Sequence, residues 1–275
     1  MPDSISSSRR DSIGAQKGLL YETRSRQKKA AKIRAALATV IPDTRELTLL
    51  DAGCASGIIT RTLAPHFAFA VGIDLHEAGL RIAPEDQPAD QPSAKLLRGT
   101  TAALPFGDKS FDVVICAQVY EHVADQEALA DEVYRVLKTG GWVFFSGPNR
   151  VWPIEDHYKL FGLGWLPKKW AGRYLRLVGR GRDFEEHLLT YSQLERLFRR
   201  FERIDITARM IRNPSQFQLQ SSGASQLASK LPEAAIRGLS WLYPNPNWLL
   251  RKPLGSLSGE EFMRKPHKSN IRKTD

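Results

Sequence analysis

The sequence predicts an α/β protein whose core is a doubly wound, mostly parallel β-sheet, and three observations support that prediction. Apolar segments of strand length alternate with segments of helical periodicity through residues 47–146, which is the pattern of βα units. Residues 111–117 are almost continuously apolar, as a parallel strand covered on both faces is. The first apolar strand, at 47–50, runs into a glycine-punctuated turn and then a helix. A parallel sheet with helices on both faces accommodates all three features.

Length and composition limit the number of domains and the compartment. The chain has 275 residues, of which 42% are hydrophobic, which is enough for one large domain with added elements. Its two cysteines lie far apart in sequence and indicate neither a disulfide framework nor a zinc site. No apolar run approaches the roughly 18 residues of a membrane helix. We therefore expect a cytoplasmic protein, with peripheral contact to the inner face of the membrane as a further option.

The charge is unevenly distributed along the chain. The net charge is +10, but the acidic residues concentrate in the middle of the sequence, whereas both flanks are basic. Such flanks suit an anionic substrate, a phospholipid surface or RNA, and the charge alone does not choose among them.

The first turn has the sequence Asp51-Ala52-Gly53-Cys54-Ala55-Ser56-Gly57. Its two glycines stand where a side chain would block the close approach of a ligand. A helical pattern begins at Ile58, and free amides at a helix start favour a bound anion. The dinucleotide fingerprint G-x-G-x-x-G is absent, so a pyrophosphate is not expected there.

Two later segments complete the pattern. Residues 111–117 lead into Gln118-Val119-Tyr120-Glu121-His122-Val123, and a helical pattern at 125–137 passes into Lys138-Thr139-Gly140-Gly141, a predicted turn before a strand at 142–146. With the glycine turn, these segments resemble the class I S-adenosylmethionine-dependent methyltransferases, in the bacterial type-11 branch. The resemblance implies a Rossmann-like sheet of seven strands with a terminal antiparallel strand, and S-adenosylmethionine as the cofactor.

The resemblance also assigns cofactor contacts. The loop of that family cradles the methionyl end of the cofactor, and its acid, here Asp51, interacts with the ammonium group. A second apolar strand at 68–73 ends in Asp74, which is placed to accept hydrogen bonds from both ribose hydroxyls; capping the following short helix is the structural alternative. The full set of predicted cofactor residues is Tyr21, Asp51, Gly53, Cys54, Gly57, Asp74, Leu75, Thr101, Ala102 and Gln118.

The adenine contact departs from the family pattern. After a short strand at 95–98, the family segment G-D-A-x-x-L-P-F is matched here by a segment that has Thr100 and Thr101 after Gly99. The aspartate that usually contacts the adenine amino group is missing. A threonine hydroxyl or backbone groups would then hold the base.

Two histidines are the candidate catalytic residues. His122 follows Glu121 at the carboxyl edge of a central strand, where open α/β sheets form active sites. It would act as a general base, or else pack against the cofactor loop. His157, and more weakly His187, come from a later insert. Some quinone-precursor O-methyltransferases carry a similar E-H-V with a metal nearby, but the sequence shows no further ligand cluster, so we predict no metal.

The remaining elements flank this core. A basic amphipathic helix at 24–41 precedes it and ends at Pro42; by resemblance it helps close the cofactor pocket. After the core the sequence predicts a helix at 191–201, a strand at 202–208, a helix at 232–242 and the last strand at 247–253. The predicted domain limits are a tail at 1–18, a methyltransferase domain at 19–253 with its cofactor-binding core at 45–150 and a lid at 151–188 and 210–244, and a basic tail at 254–275.

The insert at 151–186 is rich in tryptophan and in basic residues. Such a composition fits an interfacial helix, and it fits equally well a roof over the pocket. The resemblance implies methyl transfer to a small-molecule, lipid-linked or saccharide-linked acceptor. The alternatives are an RNA methyltransferase, although the (N/D)-P-P-(Y/F) motif of base-amine enzymes is absent, and a non-catalytic binding protein of the same fold.

Overall fold

The computed structural model describes residues 22–80, 94–155, 157–219, 226 and 230–255. Its centre is one seven-stranded sheet of order β3-β2-β1-β4-β5-β7-β6. The strands are β1 (Thr48–Ala52), β2 (Phe69–Asp74), β3 (Lys95–Arg98), β4 (Phe111–Ala117), β5 (Leu137–Ser146), β6 (Glu202–Asp205) and β7 (Asn247–Arg251).

The strand directions confirm the predicted fold. Strands β3, β2, β1, β4 and β5 pair in parallel, and β7 is antiparallel to both of its neighbours, β5 and β6. The strand order reverses between β1 and β4, so the carboxyl ends of these strands border the crevice in which open α/β sheets bind ligands.

Helices cover the sheet. Helix α1 comprises residues 22–37, and the others are α2 (Ile58–Leu63), α3 (Glu77–Leu80), α4 (Gln126–Val136), α5 (Lys168–Leu177), α6 (Tyr191–Leu197), α7 (Thr207–Arg212) and α8 (Glu233–Gly238). Within the described part of the chain, no helix combines the length and the apolar character needed to cross a bilayer.

Two hydrophobic cores lie on the two faces of the sheet. Phe145 belongs to the core that includes Val133 of α4 and Leu194 of α6, whereas its neighbour Phe144 belongs to the core that includes Ile33 of α1 and Leu63 of α2. Successive residues of β5 are therefore both fully buried, because side chains alternate between the faces of a strand. Burial on both sides is the physical reason for the continuous apolar runs in the sequence.

Several predicted boundaries are wrong. The helix predicted at 191–201 ends at Leu197, the helix predicted at 232–242 ends at Gly238, and the strand predicted at 247–253 ends at Arg251. Helix α1 ends at residue 37, before the three-residue turn that precedes Ile41 and Pro42. The predicted turn at 138–141 lies inside β5, where Gly140 N–H donates to the Lys252 carbonyl and Lys252 N–H donates to the Gly141 carbonyl. The predicted sixth strand stops at Asp205, whose carboxylate accepts from Thr207 N–H at 2.8 Å and starts α7. The corrections at 138–141 and at Asp205 come from hydrogen bonds that the hydrophobic pattern does not show.

The insert has its own small core. Leu163, Ala171, Leu175 and Phe184 are buried together. Outside that core, α5 and its neighbours expose large apolar side chains, with Leu177 at 85%, Phe161 at 66% and Trp170 at 55% exposure. The insert is therefore a packed unit with an exposed aromatic surface.

Candidate active site

The glycine turn after β1 has an unusual backbone that its sequence permits. Gly53, Ala55 and Gly57 have φ angles of 80°, 48° and 70°, in the left-handed region that glycine adopts at little cost. The Gly53 and Cys54 amides both donate to the Ile73 carbonyl of β2, at 2.8 and 3.0 Å. These amides are used by the protein itself. The predicted preference for an anion concerned the amides at the start of α2, and it stays a prediction.

The two glycines are required by protein side chains as well as by φ. A Cβ atom on Gly53 would lie 2.4 Å from Val119 Cγ2, and one on Gly57 would lie 2.4 Å from Leu96 Cδ1. Such distances are far inside van der Waals contact. The sequence analysis reserved the space beside the two glycines for a ligand. In the structure, the side chains of Val119 and Leu96 fill the space that a Cβ atom on Gly53 or Gly57 would occupy.

Asp51 lies at the buried end of β1. Its side chain is 3% exposed, and its carboxylate accepts one hydrogen bond from the Thr60 hydroxyl at 2.6 Å. Burial raises the pKa of Asp51 from 3.8 to about 6, although the Thr60 hydrogen bond lowers it in part. Burial makes the ionised form of Asp51 unfavourable. A cationic ligand beside the carboxylate would stabilise its negative charge.

We expect Asp51→Asn to stabilise the cofactor-free protein at pH 7.5 by about 1–2 kcal/mol, since a raised folded-state pKa penalises the ionised form. The sign follows from the shift. The wild-type carboxylate costs stability above about pH 6, and the difference between the two proteins should vanish as the pH falls toward 4. Urea unfolding at pH 7.5, 6 and 4.5 measures it. An Asn variant that is less stable than wild type at pH 7.5 would contradict the assignment of burial as the cause.

Asp74 joins β2 to the glycine loop. One carboxylate oxygen accepts from Ala55 N–H at 2.7 Å and the other accepts from His76 N–H at 2.9 Å. The structural alternative therefore holds in part, because the second bond orders the turn before α3. A carboxylate oxygen has more than one acceptor site, so these bonds leave the predicted contact to ribose hydroxyls chemically open.

The other predicted cofactor residues have varied environments. Leu75, next to Asp74, is 58% exposed. Thr101 is buried, whereas Thr100 is exposed and its hydroxyl accepts from Ala102 N–H at 3.2 Å. Cys54 is buried. Tyr21 lies outside the described residues. Buried Thr101 and exposed Leu75 remain predictions for the adenosine contact.

Gln118 sits in a strained conformation at the end of β4. Its φ is 61°, an uncommon value for a side-chain-bearing residue that is often found at functional sites. Its amide Nε2 donates to Asn245 Oδ1 at 2.9 Å, which ties the end of β4 to the segment before β7. The structure therefore gives Gln118 a partner in the protein, and its role toward the cofactor stays a prediction.

The two predicted catalytic histidines meet in space. The rings of His122 and His157 are in an edge-to-face arrangement with their centroids 5.0 Å apart. His122 Nε2 lies 3.9 Å from Glu121 Oε1. One potential ligand atom from each of these three residues lies within 4.8 Å of the others. The structure thus brings His157 from the insert to Glu121 and His122, which the sequence did not show, and the prediction of no metal stays a prediction.

This cluster adjoins the glycine loop. His122 N–H donates to the Val119 carbonyl at 3.0 Å, and Val119 is the side chain that packs on Gly53. The pKa of His122 is lowered by burial and by His157, with an opposing effect from the nearby carboxylates of Asp74 and Glu155. His122 thus lies between the predicted ribose carboxylate and the insert.

Carboxylates that the sequence did not assign surround His157. Its Nδ1 is 2.9 Å from Glu155 Oε1 and 4.0 Å from Glu186 Oε1. The Glu155 hydrogen bond is the main reason that the pKa of His157 is raised. Burial would raise the pKa of Glu155, but its bonds to His157 and to backbone amides lower it overall. Burial raises the pKa of Glu121 to about 7.

Comparison with known proteins decides the family. A family model described as "Methyltransferase domain" matches residues 50–145, which span β1 to β5 and include the glycine loop, Asp74 and Glu121–His122. Residues 50–145 are thus a methyltransferase domain. The predicted family and the predicted cofactor, S-adenosylmethionine, are thereby confirmed.

Two curated relatives of the methyltransferase domain carry the same name. The chain is 30% identical over 161 residues to a "Ubiquinone biosynthesis O-methyltransferase" from Nitrosomonas europaea, covering 58% of this chain and 65% of that protein. It is 38% identical over 103 residues to a protein of the same name from Pseudomonas fluorescens, covering 37% of this chain and 44% of that protein. The chain thus spans less than two thirds of the length of these relatives.

Solved structures share the fold of the methyltransferase domain. An S-adenosylmethionine-dependent methyltransferase from Mesorhizobium loti superposes with a TM-score of 0.53 at 18% identity, covering 78% of this chain and 95% of that one. The YcgJ protein from Bacillus subtilis gives a TM-score of 0.51 at 17% identity, covering 82% and 99%. At these identities the likeness concerns the fold alone.

Sequence reasoning missed Glu155 and Glu186 as members of the site. Glu155 stands two residues before His157, and Glu186 stands directly before His187. An acid next to a histidine in an otherwise basic insert is the signal that could have drawn attention to them. The His187 ring contacts Lys168, with its Nε2 3.2 Å from Lys168 Nζ.

Proposed function

We propose that the protein transfers the methyl group of S-adenosylmethionine to a hydroxyl oxygen of a small-molecule acceptor. The observation that carries the proposal is the position of the His122–His157 pair beside the glycine loop and Asp74. The names of the curated relatives support an oxygen as the acceptor atom. A soluble or a lipid-linked acceptor fits this proposal equally.

The chemistry of the cofactor determines what the protein must contribute to the reaction. Its sulfonium already activates the methyl group, so the protein must align the acceptor oxygen with the methyl carbon and sulfur and exclude water. In the proposed arrangement Asp51 faces the ammonium group and Asp74 faces the ribose. Both acids lie at the carboxyl ends of adjacent parallel strands, β1 and β2.

A hydroxyl acceptor must also lose its proton. The ring nitrogens of His122 and His157 are the exposed groups in the cluster that can accept one, and Glu155 holds the His157 ring through Nδ1. The side chains of His122 and His157 are 51% and 32% exposed, so an acceptor can reach them. General-base help of this kind typically contributes a factor of about 10²–10⁴ in rate.

The insert would form the lid over the acceptor. It contributes His157 to the site, and Gln126 of α4 holds it through a bond to the His187 carbonyl at 2.7 Å. Its exposed Trp170 stacks with Arg173 at 4.9 Å. An aromatic and basic outer surface of this kind also suits contact with an anionic membrane, which stays a prediction for the insert.

A labelled-methyl assay tests the proposal. Protein and S-adenosylmethionine labelled in the methyl group are incubated with phenolic compounds, with lipid extracts and with RNA. We expect label in the small-molecule or lipid fraction, and we expect His157→Asn to lower kcat at least tenfold with little change in cofactor affinity.

The same assay decides between the alternatives. Label confined to RNA would replace the proposal with RNA methylation. Cofactor binding without methyl transfer to any fraction would favour the non-catalytic protein. His66→Asn is the matched control, because His66 lies away from the cluster, beside Arg34, and we expect its activity to equal wild type.

A further inference from the structure

A cleft of about 290 Å³ lies between the insert, with its flanking residues, and helices α4 and α6. Leu166, Phe184 and Leu188 contribute apolar walls, and Gln126 of α4 and Gln193 of α6 lie on the helix side. Small-molecule sites combine mostly apolar walls with a few polar groups, and their volumes begin at about 300 Å³. The cleft therefore has the size and the lining of a site for a small ligand.

Two cationic side chains in this cleft form no ion pair with the described residues. Arg150 is held through its Nε, which donates to the Gly164 carbonyl at 3.1 Å, and its two terminal nitrogens have no acceptor in the described part of the chain. Lys168 Nζ lies 3.2 Å from His187 Nε2 and 3.4 Å from the Glu185 carbonyl oxygen. Both positive charges are thus available to an anion that enters the cleft.

The start of helix α5 adds to this positive charge. Lys168 and Lys169 are its first two residues, Pro167 precedes them, and the first turn contains neither a capping side chain nor an acid. The N–H groups at a helix start carry partial positive charge, which acidic residues stabilise and basic residues oppose. Two lysines in the first turn therefore cost helix stability. An anion bound beside them would reverse that effect.

Glu186 brings a hydrogen-bond acceptor to the same cleft. It is 9% exposed, and its Oε2 has no hydrogen-bond partner among the described residues. Such an oxygen is costly to bury, and a hydroxyl group that donated to it would remove the cost. Because a carboxylate repels an anion, a ligand would place its anionic group at Arg150 and Lys168 and a hydroxyl at Glu186.

We propose that this cleft binds a phosphate ester that also carries hydroxyl groups, as a sugar phosphate does. The phosphate would accept hydrogen bonds from the Arg150 guanidinium, the Lys168 ammonium and the amides at the start of α5, all of which suit its oxygens. Glu186 connects the cleft to the histidine cluster, since its Oε1 lies 4.0 Å from His157 Nδ1. The ligand would be the acceptor itself, and this role rests on the proposed methyl transfer.

Calorimetric titration of tag-free protein saturated with S-adenosylhomocysteine tests the cleft, because the cofactor pocket is then occupied. The probes are glucose 1-phosphate, inorganic phosphate and glucose. We expect glucose 1-phosphate to bind more tightly than inorganic phosphate, glucose to show no binding, and the affinity for glucose 1-phosphate to fall as NaCl is added. Lys168→Gln and Arg150→Gln should each weaken glucose 1-phosphate binding about tenfold.

Lys169→Gln is the matched control. It removes the same charge from the same helical turn, but Lys169 does not line the cleft, so the affinity should change less than about twofold. Glu186→Leu should weaken the binding of glucose 1-phosphate relative to inorganic phosphate, because it removes the acceptor for a hydroxyl and a like charge. Thermal unfolding and S-adenosylhomocysteine affinity should be unchanged in Lys168→Gln, which separates a loss of binding from unfolding.

Equal affinity for glucose 1-phosphate in wild type and Lys168→Gln would overturn the proposed cleft, and so would equal losses in Lys168→Gln and Lys169→Gln. A short RNA oligonucleotide that binds through Lys168, without binding of glucose 1-phosphate, would replace the sugar phosphate with RNA. Methyl transfer by a protein that binds no phosphate ester would refute the cleft alone. Lys168-dependent binding of glucose 1-phosphate without methyl transfer to any acceptor would refute the proposed function alone.

Discussion

Replacing Asp74 with alanine should weaken S-adenosylhomocysteine binding at least tenfold and up to about a hundredfold, or about 1.4–2.7 kcal/mol. The predicted ribose contact consists of two hydroxyl groups donating to one carboxylate, and hydrogen bonds to charged groups contribute about 1.5–3 kcal/mol each. Isothermal titration calorimetry measures the loss. Equal affinities in the two proteins would remove Asp74 from the cofactor site.

Two further variants separate binding from folding. Asp74 also accepts from the Ala55 and His76 amides, so Asp74→Ala is expected to lose some stability. Asp74→Asn keeps an acceptor oxygen for one of the two amides but cannot serve both ribose hydroxyls as an anion, so it should bind weakly and lose less stability than Asp74→Ala. Asp131→Ala removes an exposed carboxylate of α4 that pairs with Arg200, and it should change neither property.

Replacing Gly53 with alanine should lower the free energy of unfolding by about 3 kcal/mol. A side chain at φ 80° costs roughly 1–2 kcal/mol, and forcing a methyl group to 2.4 Å from the buried Val119 adds an overpacking cost of about 1–3 kcal/mol. Urea unfolding measures the loss.

Gly179→Ala is the matched control. Gly179 has a φ of 67°, but a Cβ there meets no described atom within 4 Å, so it should cost only the backbone strain. Val119→Ala in the Gly53→Ala background should recover part of the loss. If the stability effects of Gly53→Ala and Val119→Ala were simply additive in the double variant, the proposed clash between positions 53 and 119 would be wrong.

The strands could be predicted because their burial leaves a strong pattern. The predicted limits of β3 and β4 agree with the structure at both ends, and β4 is apolar on both faces for a reason that any parallel strand shares. The start of α7 could not be predicted, since it depends on the Asp205 carboxylate turning to accept from Thr207 N–H. Hydrophobic periodicity does not report such a bond.

The candidate site divides in the same way. Asp51 and Asp74 were predictable as neighbours, because each ends a strand and β1 pairs with β2 in parallel. The contact between His122 and His157 was not predictable, because 34 residues separate them and the path of the insert depends on its own core of Leu163, Ala171, Leu175 and Phe184.

By itself, the sequence determined the parallel sheet, the glycine loop and the acids at the strand ends, because periodicity and turn chemistry are local properties of a chain. Only the tertiary structure decided that Val119 and Leu96 occupy the space above the glycines, and that Glu121, His122 and His157 form one cluster. Those arrangements depend on which distant side chains meet, and that is settled by packing around the finished sheet.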